Sequence, residues 1–373
     1  MNLALSDEQE LLREAARNAL SRVKTVEAAR EALENDDALP DLWPTAVEAG
    51  WTGLVVGEEH GGAGLGPFDA MLVMQECGRV LASVPLLGHV LATYVLDRGG
   101  YDGLEALASG EQRAAFVAAR PPDDLGEGWT VEAQRGKARA AAPTVDADGT
   151  LSGGAWWVPD APGADLLVVV ALRDPEGPQA GAPVAVVVEG ASVEAVKRYD
   201  ATRSLGHVSL DGASGTVVEA GEDVLRNAWY LAQALIAAES VGTVETCLEM
   251  AVQYAKERFT FGRAIGSYQA VKHSLTEILR RQENARSLLL YAGWSAQDKP
   301  DEFPLAASAA RASAGAALDH AARTNIGVHG GIGATWEHDA PLYFRRAELT
   351  ERLLGGTHDA ADRVAGELLT ASA

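Results

Sequence analysis

The sequence predicts an α+β fold in which two helical regions flank a middle antiparallel β domain. Apolar residues recur at helical spacing over 1–115, short apolar runs broken by Gly, Pro and Asp fill 116–222, and helical spacing returns over 223–373. These are the three domains expected: an N-terminal helical domain, a middle β domain and a C-terminal helical bundle. The first helix starts at Ser6 or Asp7, either of which can accept from a free N–H of the first turn, and continues through Leu11, Leu12, Ala15, Ala16 and Leu20. A second helix ends before Gly50. The glycine-rich stretch 50–64 is not followed by the Gly-Lys-Ser of a phosphate loop, so it reads as a tight connection between helices.

In the middle region, Phe116–Ala119, Leu166–Leu172, Val184–Val188 and His207–Leu210 have strand length and are bounded by turns such as Asp148-Gly149 and Asp211-Gly212. No helical stretch separates these runs, which argues against a parallel sheet built from βαβ units. After 223, Val241, Val244, Leu248, Ala251, Val252 and Ala255 share one helix face, and Gln269–Arg286 and Leu305–Ala322 carry similar stripes.

The chain of 373 residues carries 31 Lys+Arg against 53 Asp+Glu, a formal net charge of −22. Such a chain is repelled by nucleic-acid phosphates and anionic membrane surfaces, and no basic run offsets this. No apolar stretch approaches the ~20 residues of a membrane span. The two cysteines, Cys77 and Cys247, exclude a disulfide framework and sit among apolar neighbours as packing residues. The first residues do not form a signal peptide, so a cytoplasmic protein is expected.

Three motifs carry the functional reading. The first is Arg258-Phe259-Thr260-Phe261-Gly262-Arg263 at the end of a helix, with Gln269 eight residues past Phe261. A guanidinium offers a planar fork of donors suited to a diphosphate, and a glycine lets backbone N–H groups come close to it. Arg258 alone would also suit a helix C-terminus, where the dipole favours a cation. The second is Gly327-Val328-His329-Gly330-Gly331-Ile332-Gly333, followed by Thr335-Trp336-Glu337-His338-Asp339. Consecutive residues such as 337–339 cannot all aim at one ion from a regular element, so no metal site is expected. The third is Ala155-Trp156-Trp157-Val158-Pro159, in a run of strand character.

These motifs, in this order, resemble those of the acyl-CoA dehydrogenase family over nearly the whole chain. The resemblance implies FAD as cofactor, with Arg258, Thr260, Phe261 and Gln269 on its pyrophosphate and adenine side. It implies that Gly330 and Gly331 lie against the adenosine and pyrophosphate of an FAD held mainly by a neighbouring subunit. Thr357 falls in the family's C-terminal Gly-Thr pair, and Trp157 in the place of the aromatic residue packed by the flavin ring. The wording of 335–339 is similar to a bacterial subgroup that works as pairs of unlike subunits, several of them dehydrogenating steroid side-chain CoA esters.

Removing the α-proton of an acyl thioester needs a positioned carboxylate in a water-poor pocket while the flavin takes the hydride. At the family's position before the Gly-Thr pair this chain has Gly355, and at the alternative position on an earlier helix it has Ala232. The acids left nearby are Glu239, Glu351 and Asp359. Pro159 stands where the family has a hydroxyl that bonds the flavin, Gly327 where it has a glutamine, and 116–124 lacks the family's Thr-Glu and later Gly-Ser-Asp. Most departures fall on the flavin-ring and acyl side, whereas the features kept fall mostly on the adenine and pyrophosphate side. The expectation is a non-catalytic subunit of a heteromeric, α2β2 acyl-CoA dehydrogenase. An unlike partner then carries the catalytic Glu, the substrate is an acyl-CoA, and electrons pass to an electron-transfer flavoprotein or similar acceptor. Two alternatives are a homo-oligomeric flavoenzyme with a relocated base and a flavin-free structural homologue.

Overall fold

The computed structural model describes residues 3–35, 38–119, 130–131, 140–174, 180–197 and 199–370. The N-terminal domain contains α1 (Asp7–Ser21), α2 (Thr25–Glu31), α3 (Trp43–Glu48), α4 (Pro67–Arg79), α5 (Leu86–Arg98) and α6 (Leu104–Ala108). Ser6 caps α1 by accepting from the Gln9 N–H at 3.2 Å, and the Gln9 side chain accepts from the Ser6 N–H at 3.1 Å, a reciprocal cap. The glycine-rich stretch forms short 3-10 turns between α3 and α4, the connection expected.

The middle domain holds β1 (Ala114–Val117), β2 (Thr130–Val131), β3 (Ala140–Ala141), β4 (Thr144–Val145), β5 (Leu151–Ser152), β6 (Gly154–Pro159), β7 (Leu166–Arg173), β8 (Pro183–Glu189), β9 (Ser192–Ala195), β10 (Leu205–Ser209) and β11 (Gly215–Val218). Most of its pairings are antiparallel, as expected, with one correction. In the main sheet, ordered β11-β8-β7-β4-β5, both β4 and β1 lie parallel to β7. The argument from missing helices did not reach these two pairings because the parallel neighbours are distant in sequence and joined through other strands, so no βαβ crossover is needed to connect them. β7 and β8 form the sheet's apolar centre, with Leu166–Ala171 and Val184–Val188 buried. β6, β10 and β9 make a second, antiparallel sheet with an irregularity between Gly206 and Val208.

The bundle begins with α7 (Glu222–Glu257), a helix of 36 residues. Residues 228–244 are buried on every face, against α4 and α5 on one side and α8 and α9 on the other. A helix buried all round belongs in a core, and this one carries the N-terminal domain on the bundle. A short hairpin, β12 (Phe259–Thr260) and β13 (Arg263–Ala264), leads to α8 (Gln269–Asp298), α9 (Phe303–His329), α10 (Ala340–Thr350) and α11 (Gly356–Thr370). Both cysteines are free and buried, and burial pushes both thiols up, that of Cys247 to about 12. Among the described residues no helix is long and apolar enough to cross a membrane.

Candidate functional site

The residues of the first two motifs gather at one end of the bundle. Asn325 reaches Met250, and one turn on the ring of His329 lies 4.4 Å from that of Tyr254, so α7 and α9 run side by side and finish together. Arg258 ends α7 in extended backbone. The hairpin that follows turns on Phe261 and Gly262, at φ 48° and 78°. Two successive left-handed residues make the tight turn that favours Asn and Gly, so Phe261 is out of place by about 1–2 kcal/mol. Its ring is 92% exposed. Backbone strain and an exposed aromatic at the same residue are unexplained by anything inside the chain. Tyr268 holds the hairpin by donating to the Thr260 carbonyl at 3.1 Å. Gln269 opens α8, whose first turn has no side-chain cap. Between 256 and 272, Lys256, Arg258, Arg263 and Lys272 face a single acid, Glu257, a cationic island on a strongly acidic chain.

The loop after α9 completes this end. Gly330 is left-handed at φ 65°, and a Cβ placed on Gly327, Gly330 or Gly331 would meet nothing within 4 Å. Internal packing therefore does not require glycine at 327 or 331, while close approach by something outside the chain would. Nδ1 of His338 accepts from the Ala340 N–H at 3.0 Å, its ring lies 4.1 Å from that of His329, and Asp339 pairs with Arg30. These partners give His338 and Asp339 separate structural roles. Among the described residues one acidic group has metal-compatible spacing, Asp319, Glu348 and Glu351, and Arg323 pairs with the first two.

The place of the base is different. Leu354, Gly355 and Gly356 are all left-handed, at φ 49°, 82° and 73°. The Gln233 side chain donates to the Leu354 carbonyl at 3.1 Å, and Ala232 is fully buried beside it. The cleft lined by Trp229, Gln233, Leu354, Asp359 and Arg363, next to this turn, has about 10 Å³ free, room for one water at most. Arg363, on α11, donates to the Tyr230 hydroxyl at 2.7 Å. The Thr357 N–H donates to the Glu351 carbonyl at 3.1 Å, and its buried hydroxyl faces Gly315, where a Cβ would lie 2.3 Å away.

Glu239 does not fit the role of a relocated base. It is 3% exposed, one carboxylate oxygen pairs with Arg203, and the other accepts from Arg346 Nη1 at 2.6 Å. Glu351 follows the last turn of α10, and Asp359 lies in the first turn of α11, where the helix dipole favours an acid. Trp157 is half-buried at φ 61°, edge-on to His207 with centroids 4.9 Å apart, and Pro159 is buried two residues on. Beside them Asp160 accepts from the Gly88 N–H at 2.8 Å; burial pushes its carboxyl up to about 6, with Arg203 and that hydrogen bond opposing. Residues 120–124 of the segment compared with the family lie outside the described residues. Sequence reasoning missed the Arg203–Glu239–Arg346 cluster and a stack of Arg345 on Tyr199, whose members are 36 to 146 residues apart and share no local motif.

Residues 6–116 match the acyl-CoA dehydrogenase N-terminal domain and 219–368 the acyl-CoA dehydrogenase C-terminal domain. The acyl-CoA dehydrogenase IpdE2 of Mycolicibacterium smegmatis is 30% identical across 98% of this chain and 100% of its own length. This chain belongs to the acyl-CoA dehydrogenase family. Among solved structures, a variant of the Tcur3481-Tcur3483 steroid acyl-CoA dehydrogenase superposes with a TM-score of 0.84 at 26% identity, covering 98% of this chain and 99% of that one. The ChsE4-ChsE5 complex of Mycobacterium tuberculosis does so with a TM-score of 0.82 at 26% identity and 99% coverage of both. As a member of an FAD-dependent oxidoreductase family, the chain pairs an open, cationic end with a tightly turned segment at Leu354–Gly356.

Proposed function

We propose that this chain is the non-catalytic subunit of a heteromeric, cytoplasmic acyl-CoA dehydrogenase, assembled as α2β2 with an unlike chain that supplies the catalytic Glu and the acyl pocket. The observation that carries this is Gly355 itself: it offers no ionisable side chain at the position compared with the family's base, and it stands in a run of three left-handed residues. Support for the partnership comes from two similar structures whose names pair two chains, Tcur3481-Tcur3483 and ChsE4-ChsE5.

The residues at the open end fit FAD. Arg258 has no ion-pair partner among the described residues, Phe261 presents a bare ring for an adenine face, and the backbone at Gly330 and Gly331 has clear space in front of it. FAD, when bound, supplies the hydride acceptor. Arg258, Thr260, Phe261, Gln269, Gly330 and Gly331 would hold its diphosphate and adenine end from across the subunit boundary. Trp157, edge-on to His207, takes at most a marginal part, whereas the buried Thr357 hydroxyl, without a hydrogen-bond partner among the described residues, is left available to FAD. The substrate class is an acyl-CoA thioester, a steroid side-chain ester by analogy with the paired structures, and an electron-transfer flavoprotein or similar carrier takes the electrons.

Purifying the chain alone and with the unlike acyl-CoA dehydrogenase chain that carries Glu at the Gly355 position tests this. The expected result is no acyl-CoA oxidation by the chain alone, activity in the pair, and one FAD per unlike pair. Acyl-CoA oxidation by this chain alone would overturn the proposal.

A further inference from the structure

Arg345 on α10 lies between two exposed aromatic rings. Its guanidinium carbon is 4.3 Å from the centre of the Tyr199 ring and 4.9 Å from that of Trp336, and Nη1 donates to the Tyr199 carbonyl at 2.8 Å. The three side chains come from the loop between β9 and β10, the loop after Gly330–Gly331, and α10, so the stack spans the middle domain and the bundle. Tyr199 is 52% exposed and Trp336 60%. Among the described residues no carboxylate pairs with Arg345, whereas the next residue, Arg346, holds two. The attraction of a cation for a ring face roughly doubles or more when water is excluded, so the stack is far from its strongest state while uncovered. Trp, Tyr and Arg are also the side chains in which interfaces concentrate their binding energy.

We propose that Tyr199, Arg345 and Trp336 form the centre of a docking surface for the unlike subunit, with a carboxylate of that subunit set against Arg345. The inference rests on the heteromeric reading above. Charge selects the occupant. An acidic group complements the unpaired guanidinium, whereas a second copy would bring a chain of −22 against another of −22, and a two-fold contact centred here would set Arg345 against its own equivalent. Position selects it as well. Ile332, 46% exposed, lies on the same loop between Gly331 and Trp336, so a subunit that reached the open backbone at Gly330 and Gly331 would lie next to the stack.

The test uses both full-length chains, with association followed by sedimentation in excess FAD and bound FAD measured separately. Trp336→Ala and Arg345→Ala should each weaken association about tenfold or more, and Arg345→Lys should restore only part of it, because an ammonium lacks the planar faces for two rings. All three are surface changes, so melting temperatures of the isolated variants should stay close to that of the parent. If the parent pair assembles and both alanine variants associate equally well, the docking surface is wrong and the heteromeric reading stands. If the parent chains do not assemble, the heteromeric reading fails and takes the surface with it. Loss of self-association in this chain alone would assign the patch to a second copy and overturn the proposal.

Discussion

Arg346 of α10 donates through Nε to Asp200 of the β9–β10 loop at 2.5 Å and through Nη1 to Glu239 of α7 at 2.6 Å, all three side chains being buried. Thr202 accepts from its Nη2 at 2.5 Å, and Arg203 occupies the second oxygen of Glu239. Burial alone would lower the pKa of Arg346 and raise that of Asp200. The attraction between them, with Glu239 on one side and Thr202 on the other, instead holds Arg346 above and Asp200 below its ordinary range. One guanidinium thus joins the middle domain, the central helix and the C-terminal helices in a balanced set of two cations and two anions.

Glu239→Ala should therefore destabilise the chain by about 3–5 kcal/mol, because two buried guanidinia are left with one carboxylate. Glu239→Gln, which keeps an acceptor, should cost less. Urea denaturation measures both. A residue acting as base would behave in the opposite way, losing turnover with stability intact, so the same variants separate the clamp from a relocated base.

Asp160 gives the fold a pH signature. Its carboxyl is raised from 3.8 to about 6, so between these values the unfolded chain ionises there and the folded chain does not. Stability from this group is fully present below the unfolded pKa and is lost as pH rises towards 6. The shift corresponds to about 3 kcal/mol. Asp160→Asn, whose amide oxygen can still accept from the Gly88 N–H, has no such titration. The stability of the variant relative to the parent should climb by up to about 3 kcal/mol from pH 4 to pH 7, and a difference independent of pH would show that Asp160 is not buried as an acid.

The helical stripes were legible because burial on one face imposes a 3.6-residue period, and the family motifs because the hairpin and glycine loop are local. The parallel placement of β1 and β4 beside β7 was not, since nothing local to Ala114–Val117 records which strand 50 residues on will receive it. Glycine at the position compared with the family's base was visible as Gly355, but the packing of Trp229, Gln233 and Arg363 around the neighbouring Leu354 was not. Nothing local marks Trp229, Gln233 and Arg363 as neighbours until α7 and α11 are brought together. The ion pairs of Glu239 were hidden for the same reason, because its partners Arg203 and Arg346 lie 36 and 107 residues away.

Restoring the family's base by Gly355→Glu should fail. At φ 82° a side chain costs about 1–2 kcal/mol, Leu354 and Gly356 on either side are already left-handed, and a Cβ on Gly356 would come within 2.2 Å of the Glu351 carbonyl, so the loop has little freedom to readjust. The variant should be less stable than its parent and should show no acyl-CoA oxidation or α-proton exchange into deuterated water. Measurable exchange would mean that the interior opens to admit a thioester.

The hairpin supplies the sharpest separation of fold from function. Phe261 sits at φ 48° in a turn that suits asparagine, with its ring exposed, so Phe261→Asn should stabilise the isolated chain by about 0.5–1 kcal/mol. If the ring is kept for FAD, the same variant should lower FAD retention in the assembled pair. Arg258→Ala should leave stability nearly unchanged, since no ion pair is lost, and should also lower FAD retention. Its deficit should be largest at low salt and narrow as ionic strength rises, because added ions screen the attraction that the parent arginine exerts on the diphosphate. Stability by urea denaturation and flavin content by absorbance distinguish these outcomes. A stabilised Phe261→Asn variant with unchanged FAD content would leave the strain at this turn without a cofactor to explain it.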